Sequence, residues 1–94
     1  MDISVFENVE EHRFELDLPD GNTAGIYYRL DDEERLVLFH TDVPSEFSGL
    51  GIGTQLAAGA FDLIRQSDRK AILRCAFLQN FFRDHPGYSE IIAG

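Results

Sequence analysis

Ser48-Gly49-Leu50-Gly51-Ile52-Gly53-Thr54 is the stretch on which the fold turns. It separates two segments of different periodicity. Before it, residues 36–39 are continuously apolar, the pattern of a strand buried on both faces. After it, Ile52, Leu56, Ala60, Leu63 and Ile64 recur at helical spacing, with Thr54, Gln55, Asp62, Arg65 and Gln66 opposite them. A helix is therefore predicted over residues 51–66, ended by Ser67-Asp68, with Phe61 toward its polar side. Glycines between such a strand and helix let the backbone turn tightly and approach a ligand without Cβ clashes. The first amides of a helix lack intrahelical partners and carry the positive end of its dipole, so the unit is a ready cradle for phosphate. The same glycines would equally serve a turn and close helix–sheet packing alone. The spacing Gly49-x-Gly51-x-Gly53 is not that of a dinucleotide fingerprint, and no Gly-Lys-Ser/Thr is present for a Walker loop.

Upstream, residues 12–18 alternate, with Phe14, Leu16 and Leu18 against Arg13, Glu15 and Asp17, which predicts a half-buried strand. Pro19-Asp20-Gly21-Asn22 reads as a tight turn into a second strand over residues 24–30, with Ile26, Tyr28 and Leu30 on one face. A polar turn at residues 31–34 leads to the apolar strand. Downstream, a fourth strand is expected over residues 70–76 and a short helix over 78–84, stopped by His85-Pro86-Gly87. A last helical turn is expected at residues 88–92. Hairpin-length connections make the first three strands antiparallel, and the helical crossover makes the third and fourth parallel. The expectation is an α+β fold with a mixed, mostly antiparallel sheet in the order β-β-β-α-β-α, as one domain over residues 1–94.

A chain of 94 residues can bury one core. Its net charge of −9, from 17 acidic and 8 basic residues, argues against nucleic acid and against an anionic membrane surface. Acidic clusters at residues 7–11 and 31–34 read as solvated loops, with a basic amine or polyamine partner as the other reading. The single Cys excludes an internal disulfide and a Cys-only metal site. The first residues lack the pattern of a signal peptide, and no apolar run suits a membrane span, so a reducing cytoplasmic setting is expected.

Several separate motifs fall in a shared order. His40-Thr41-Asp42-Val43-Pro44 precedes the glycine loop and Gln55-Leu56. Cys75-Ala76-Phe77, Phe81-Phe82 and His85-Pro86-Gly87-Tyr88 follow it, and Phe14 and Tyr28 bracket the Asp20-Gly21 turn. In these features the chain resembles the GCN5-related N-acetyltransferase superfamily. More narrowly, it is similar to a small family of about this length that keeps only the acetyl-CoA-binding half of the fold. The resemblance implies that amides of Leu50, Gly51, Ile52, Gly53 and Thr54 hold the CoA pyrophosphate. It also implies that the strand edge at Thr41 and Val43 bonds the pantetheine arm, and that the thioester reaches Cys75. The superfamily usually carries Arg or Gln where this chain has Ser48, and the small family favours Pro where it has Ala76.

The candidate catalytic groups are Cys75 and His40. Cys75 alternates with Leu73 and Phe77 and reads either as a small core residue or as a cleft thiol, acceptor of the acyl group or part of the pocket wall. His40 reads as a hydrogen-bonded strand-end residue or as a general base for an incoming amine. His85 suits a helix end and His12 a solvent-facing position; three His at these separations have no zinc spacing, so no metal is expected. Tyr88 reads as an aromatic closing the C-terminal turn, or as a donor to a leaving thiolate. The leading functional expectation is acetyl transfer from acetyl-CoA to an amine or protein acceptor, by a monomer or a homodimer that completes the acceptor site. The other two are a non-catalytic acyl-CoA-binding module and an interaction protein that keeps the fold.

Overall fold

Two turns set the antiparallel register. At the first, Gly21 adopts φ 89°, the Leu18 N–H donates to Asn22 O at 2.9 Å and the Asn22 N–H to Asp20 Oδ1 at 3.0 Å. At the second, Asp31 Oδ1 accepts the N–H groups of Glu33 and Arg35, both at 2.9 Å, and Glu34 takes φ 63°. Side-chain oxygens here satisfy amides that neither flanking strand can use. The computed structural model describes residues 4–47 and 49–93. The strands are β1 (Val5–Asn8), β2 (Arg13–Asp17), β3 (Thr23–Leu30), β4 (Leu36–Asp42) and β5 (Ala71–Leu73). The helices are α1 (Ile52–Gln66) and α2 (Ala76–Asp84), with 3-10 turns at Ser45–Phe47 and Pro86–Ile91. The sheet runs β1-β2-β3-β4-β5, antiparallel except for the parallel β4–β5 pair across α1. The architecture is therefore mixed α+β, as the hairpin spacing implies.

Both helices pack on one face of the sheet. Phe14, Leu16, Ala24, Ile26, Leu36 and Leu38 meet Leu56, Ala60, Phe61, Ile64, Leu78 and Phe81 in a single buried cluster. Several sequence expectations need correction. The first strand in the sheet is β1, so the order is β-β-β-β-α-β-α; a four-residue edge segment holding one Glu leaves no periodic signal. Phe61 is fully buried, because α1 has a second partner besides the sheet: its ring meets Phe81 at 5.3 Å and Tyr88 at 5.2 Å, both edge-on. Leu30 and Phe39 are each 48% exposed, at a strand end and at a bulge. β5 stops at Leu73 and α2 begins at Ala76, so Cys75 is the residue before the helix and does not alternate along a strand. The last helical segment is the 3-10 turn Pro86–Ile91 rather than residues 88–92.

Glu7, placed by sequence in a solvated acidic cluster, is instead the anchor of β1. Arg69 grips its carboxylate through Nη1 at 3.0 Å and Nη2 at 2.7 Å, and the Tyr28 hydroxyl donates to Oε2 at 2.5 Å. Strands β1 and β3 and the loop after α1 are joined at this point. Arg69 holds the Glu7 carboxyl below its ordinary value, while burial and then Glu7 raise the Tyr28 phenol. Gly59 is the second device that seats β1. A Cβ on this helix residue would lie 2.6 Å from Val5 Cβ, so α1 can approach the edge strand only because the side chain is missing.

Two expectations follow from this edge. Gly59→Ala in an open helix would stabilise by about 1 kcal/mol; here overpacking against the branched Val5 side chain outweighs that gain, and a net loss of about 1–2 kcal/mol is expected from urea denaturation. For Glu7 the depressed folded-state pKa means that its stabilisation is complete above the unfolded value of 4.5 and is lost as pH falls through the lower folded one. Glu7→Gln should thus lower stability at neutral pH, and the gap from the parent protein should close on acidification. A gap that widens at low pH would contradict this assignment.

Candidate functional site

β4 is paired on both edges only at its start. Leu36, Val37 and Leu38 pair with Ala71, Ile72 and Leu73, and the Arg74 N–H donates to Leu38 O at 2.8 Å. Beyond that point β5 ends and the chain turns into α2. β4 itself continues to Asp42, paired only with β3. The register moves from Tyr28↔Leu38 to Tyr27↔His40, which leaves Phe39 as an extra residue in β4. Such a bulge bends its strand and increases the twist, so β4 swings away from β5. The result is a wedge with a free strand edge on one side and the start of α2 on the other.

The N-terminus of α1 closes the end of this wedge. Gly51 caps the helix at φ 78°, ψ 9°, with no side-chain hydrogen bond to the first amides. The first intrahelical bond runs from the Gln55 N–H to Gly51 O at 3.0 Å. The amides of Ile52, Gly53 and Thr54 precede it and have no intrahelical acceptor, so they present donors at the positive end of a fifteen-residue helix. Gly49, at φ 80°, and Gly51 need left-handed backbone that other residues enter only at a cost. Gly53 has a different reason: a Cβ there would stand 2.8 Å from Cζ of Phe77.

Between these elements lies a cleft of about 490 Å³. Of the residues singled out in the sequence, His40, Thr41, Val43, Gly51, Ile52, Gly53, Thr54 and Cys75 all line it. Leu50 does not; its side chain is 64% exposed on the loop outside. The position of Ser48 lies outside the described residues. Phe47, Gly49 and Phe77 complete the lining. Phe47 has no motif around it, and Phe77 belongs to the Cys75-Ala76-Phe77 motif without any sign in the sequence that its ring lines the cleft. No Asp, Glu, Lys or Arg lines the cleft among the described residues. The surface there is neutral in a chain of net charge −9.

Cys75 is half-buried, with Sγ 3.4 Å from the Thr41 hydroxyl across the wedge. His40 is exposed and its ring lies 5.5 Å from that of Tyr27. The other candidates lie elsewhere. His12 is solvent-exposed and stacked 5.2 Å from Tyr28. His85 stacks on Phe81 at 4.2 Å, with Nδ1 2.9 Å from Phe81 O. Tyr88 donates to Asp62 Oδ1 at 3.0 Å beneath the Arg65 guanidinium and does not line the cleft. Burial and Asp62 raise its phenol.

The family model for GCN5-related N-acetyl-transferases matches residues 13–91, from β2 to the last 3-10 turn. Protein NATD1 of Xenopus tropicalis is 35% identical over 63 residues, which cover 67% of this chain and 58% of the relative. Protein NATD1 of Danio rerio is 35% identical over 71 residues, 73% of this chain and 64% of the relative. The human Protein NATD1 is 39% identical over 49 residues, 52% of this chain and 43% of the relative. The chain thus spans roughly three-fifths of the length of the first two relatives it matches. In structure, a GCN5-like protein from Staphylococcus aureus solved by NMR superposes with a TM-score of 0.71 at 25% identity, covering 97% of this chain and 88% of that one. The bulged β4, the wedge beside it and the glycine-capped helix that closes it are built on the same sequence that carries this match, and the chain belongs to the GCN5-related N-acetyltransferase family.

Proposed function

We propose that the cleft binds acetyl-CoA and that the protein transfers the acetyl group to an amine. One observation carries the reading. An open strand edge, at residues 39–42, and the uncapped N-terminus of α1 border the same neutral cleft. Amides of the stretch from Gly51 to Thr54 would hold the pyrophosphate, while the Leu50 N–H donates to Phe47 O at 3.3 Å within the loop, and the β4 edge near Thr41 and Val43 would bond the pantetheine amides. Donors of this kind bind an anion without adding a cation, which suits a chain so acidic. CoA supplies the activated acyl group as a thioester. The acceptor nitrogen forms the amide bond while the C–S bond breaks, and the CoA sulfur leaves with the proton that the amine loses. His40 is positioned on the cleft wall to take that proton first, since a neutral imidazole is an effective base at physiological pH. Positioning and backbone donors to the thioester oxygen supply the remaining acceleration.

A second route is favoured by the place of Cys75 in the cleft wall. Its sulfur would attack the thioester, forming a new S–acyl bond as CoA leaves, and the amine would then displace the cysteine. A reducing cytoplasmic compartment would keep this thiol free.

The cradle is tested by calorimetric titration with CoA. Gly51→Ala forces a side chain into left-handed backbone at the helix cap, and Gly53→Ala drives the Phe77 ring from its place. Loss of even one charge-assisted hydrogen bond weakens binding by about 1.5–3 kcal/mol, and this is the loss expected in each variant. Folded variants with unchanged affinity would remove the pyrophosphate from this loop. The route is tested by intact mass after incubation with acetyl-CoA. A hydroxylamine-labile gain of one acetyl group, absent in Cys75→Ser, is expected for the thiol route; full amine acetylation by Cys75→Ser would establish direct attack.

A further inference from the structure

The helices cover one face of the sheet, and the other face carries a second cavity. Every buried residue of α1 and α2 belongs to the cluster around Phe14, Leu16 and Ile26. On the opposite face a polar cavity of about 230 Å³ opens over Gly25, walled by Arg13, Glu15, Thr23 and Tyr27. Gly25 lies inside an eight-residue strand, where glycine weakens the sheet and often marks close approach by another group. The fold does not require it. Its backbone is outside the left-handed region, and a Cβ built there would meet only ordinary contacts, the nearest being Phe14 O at 3.5 Å. The missing side chain instead opens a notch beside the Glu15 carboxylate. Gly25 is paired with Glu15 on β2 and with Asp42 on β4, and directly paired residues share a face.

Glu15 is the buried charged residue among the described residues, 7% exposed. Its Oε2 accepts from Arg13 Nε at 2.5 Å and from Asn8 Nδ2 at 3.4 Å, while Oε1 has no hydrogen bond among the described residues. Among the described residues no buried side-chain oxygen is left without a partner, so Oε1 is reached by water and is free to accept from a donor that enters the cavity. Arg13 pairs with Glu15, and its guanidinium carbon lies 5.7 Å from the centre of the Tyr27 ring; Asp17 and Asp42 add negative charge on the same face of the sheet, outside the cavity wall. Tyr27 adds an aromatic wall, and its ring neighbour on the other side is His40, which also lines the acetyl-CoA cleft. Tyr27 and His40 thus lie between notch and cleft, which two strands at the usual spacing would set roughly 7–10 Å apart.

We propose that this notch holds the distal ammonium of a linear diamine acceptor, bonded to Glu15 and packed on Tyr27, while the other amine enters the cleft past His40. The assignment rests on the acetyl-transfer reading. The nitrogen in the cleft forms the new amide bond as the thioester C–S bond breaks, CoA departs as its thiol, and the distal ammonium is unchanged. Cadaverine, pentylamine and 5-aminopentanoate share one chain and differ only in the far group, so they isolate the notch. With acetyl-CoA, cadaverine should show a KM about ten-fold below that of pentylamine, and this advantage should vanish in Gly25→Val and in Glu15→Gln, the second guarding against misfolding of the first. Equal KM values for the three amines, a preference for 5-aminopentanoate, or an advantage that survives both substitutions would overturn the proposal. Amide chemical shifts recorded during a cadaverine titration without acetyl-CoA separate the two readings. If no amine is acetylated but shifts at Glu15, Gly25 and Tyr27 appear and are abolished by Glu15→Gln, the notch stands and the transfer reading falls. If those shifts do not appear, the notch itself is refuted.

Discussion

The architecture of the cleft depends on how far β4 stays paired. As far as Leu38 the strand is hydrogen-bonded on both edges, and beyond it only on one. Two local events produce this change. The extra residue Phe39 bends β4, and the chain leaves β5 after Leu73 to begin α2 two residues after Arg74. An open edge inside a sheet is normally a liability because its amides and carbonyls lie exposed without partners. Here it sits within a cleft whose far wall is the start of α2 and whose end is the cap of α1. Each of these features would be unremarkable alone. Together they place backbone donors and acceptors around one space without any charged side chain among the described lining.

That absence of charge is connected to the ion pairs elsewhere. Arg13, Arg35, Arg65 and Arg69 are paired with Glu15, Asp31, Glu90 and Glu7. Half of the chain's 8 basic residues are thus engaged in holding its own loops and strands. Surface pairs of this type contribute little each, but Arg69–Glu7 joins segments 62 residues apart and is reinforced by Tyr28. With these four arginines so employed, an acidic protein can hold an anionic ligand most readily through helix-terminal amides, which add no formal charge and need no long side chain to be ordered.

The parts of the fold legible in the sequence were those with local causes. The Asp20-Gly21 turn, the alternation of Phe14, Leu16 and Leu18, and the glycine run before an amphipathic stripe each depend on nearby residues. Most of the cleft lining was found the same way, because the glycine loop, Thr41 and Cys75 belong to continuous motifs. What could not be read depended on distant partners. Phe61 falls on a polar side only if α1 has a single neighbour, and its burial comes from Phe81 and Tyr88, 20 or more residues on. β1 has no periodic signal, and its place comes from Gly59 and Arg69. The end of β5 at Leu73 was missed because Leu73, Cys75 and Phe77 keep a strand-like spacing by coincidence across a helix start. The place of the Phe77 ring over Gly53 follows from that helix start and not from the motif itself.

The bulge also assigns adjacent residues of β4 to different surroundings. Thr41 pairs with Ile26, whose side chain lies in the core under the helices, and its hydroxyl meets Cys75. His40 pairs with Tyr27 on the uncovered face, and yet it borders the cleft, because β5 has ended and no neighbouring strand screens it. Had β5 continued to residue 76, a parallel strand would have sealed this edge, and the two faces would share no opening. A shorter β5 therefore gives one strand two accessible sides. On the proposed reading, cofactor and acceptor approach the same residues from opposite faces of the sheet, and a domain with so few helices can keep an acceptor route because the second face remains uncovered.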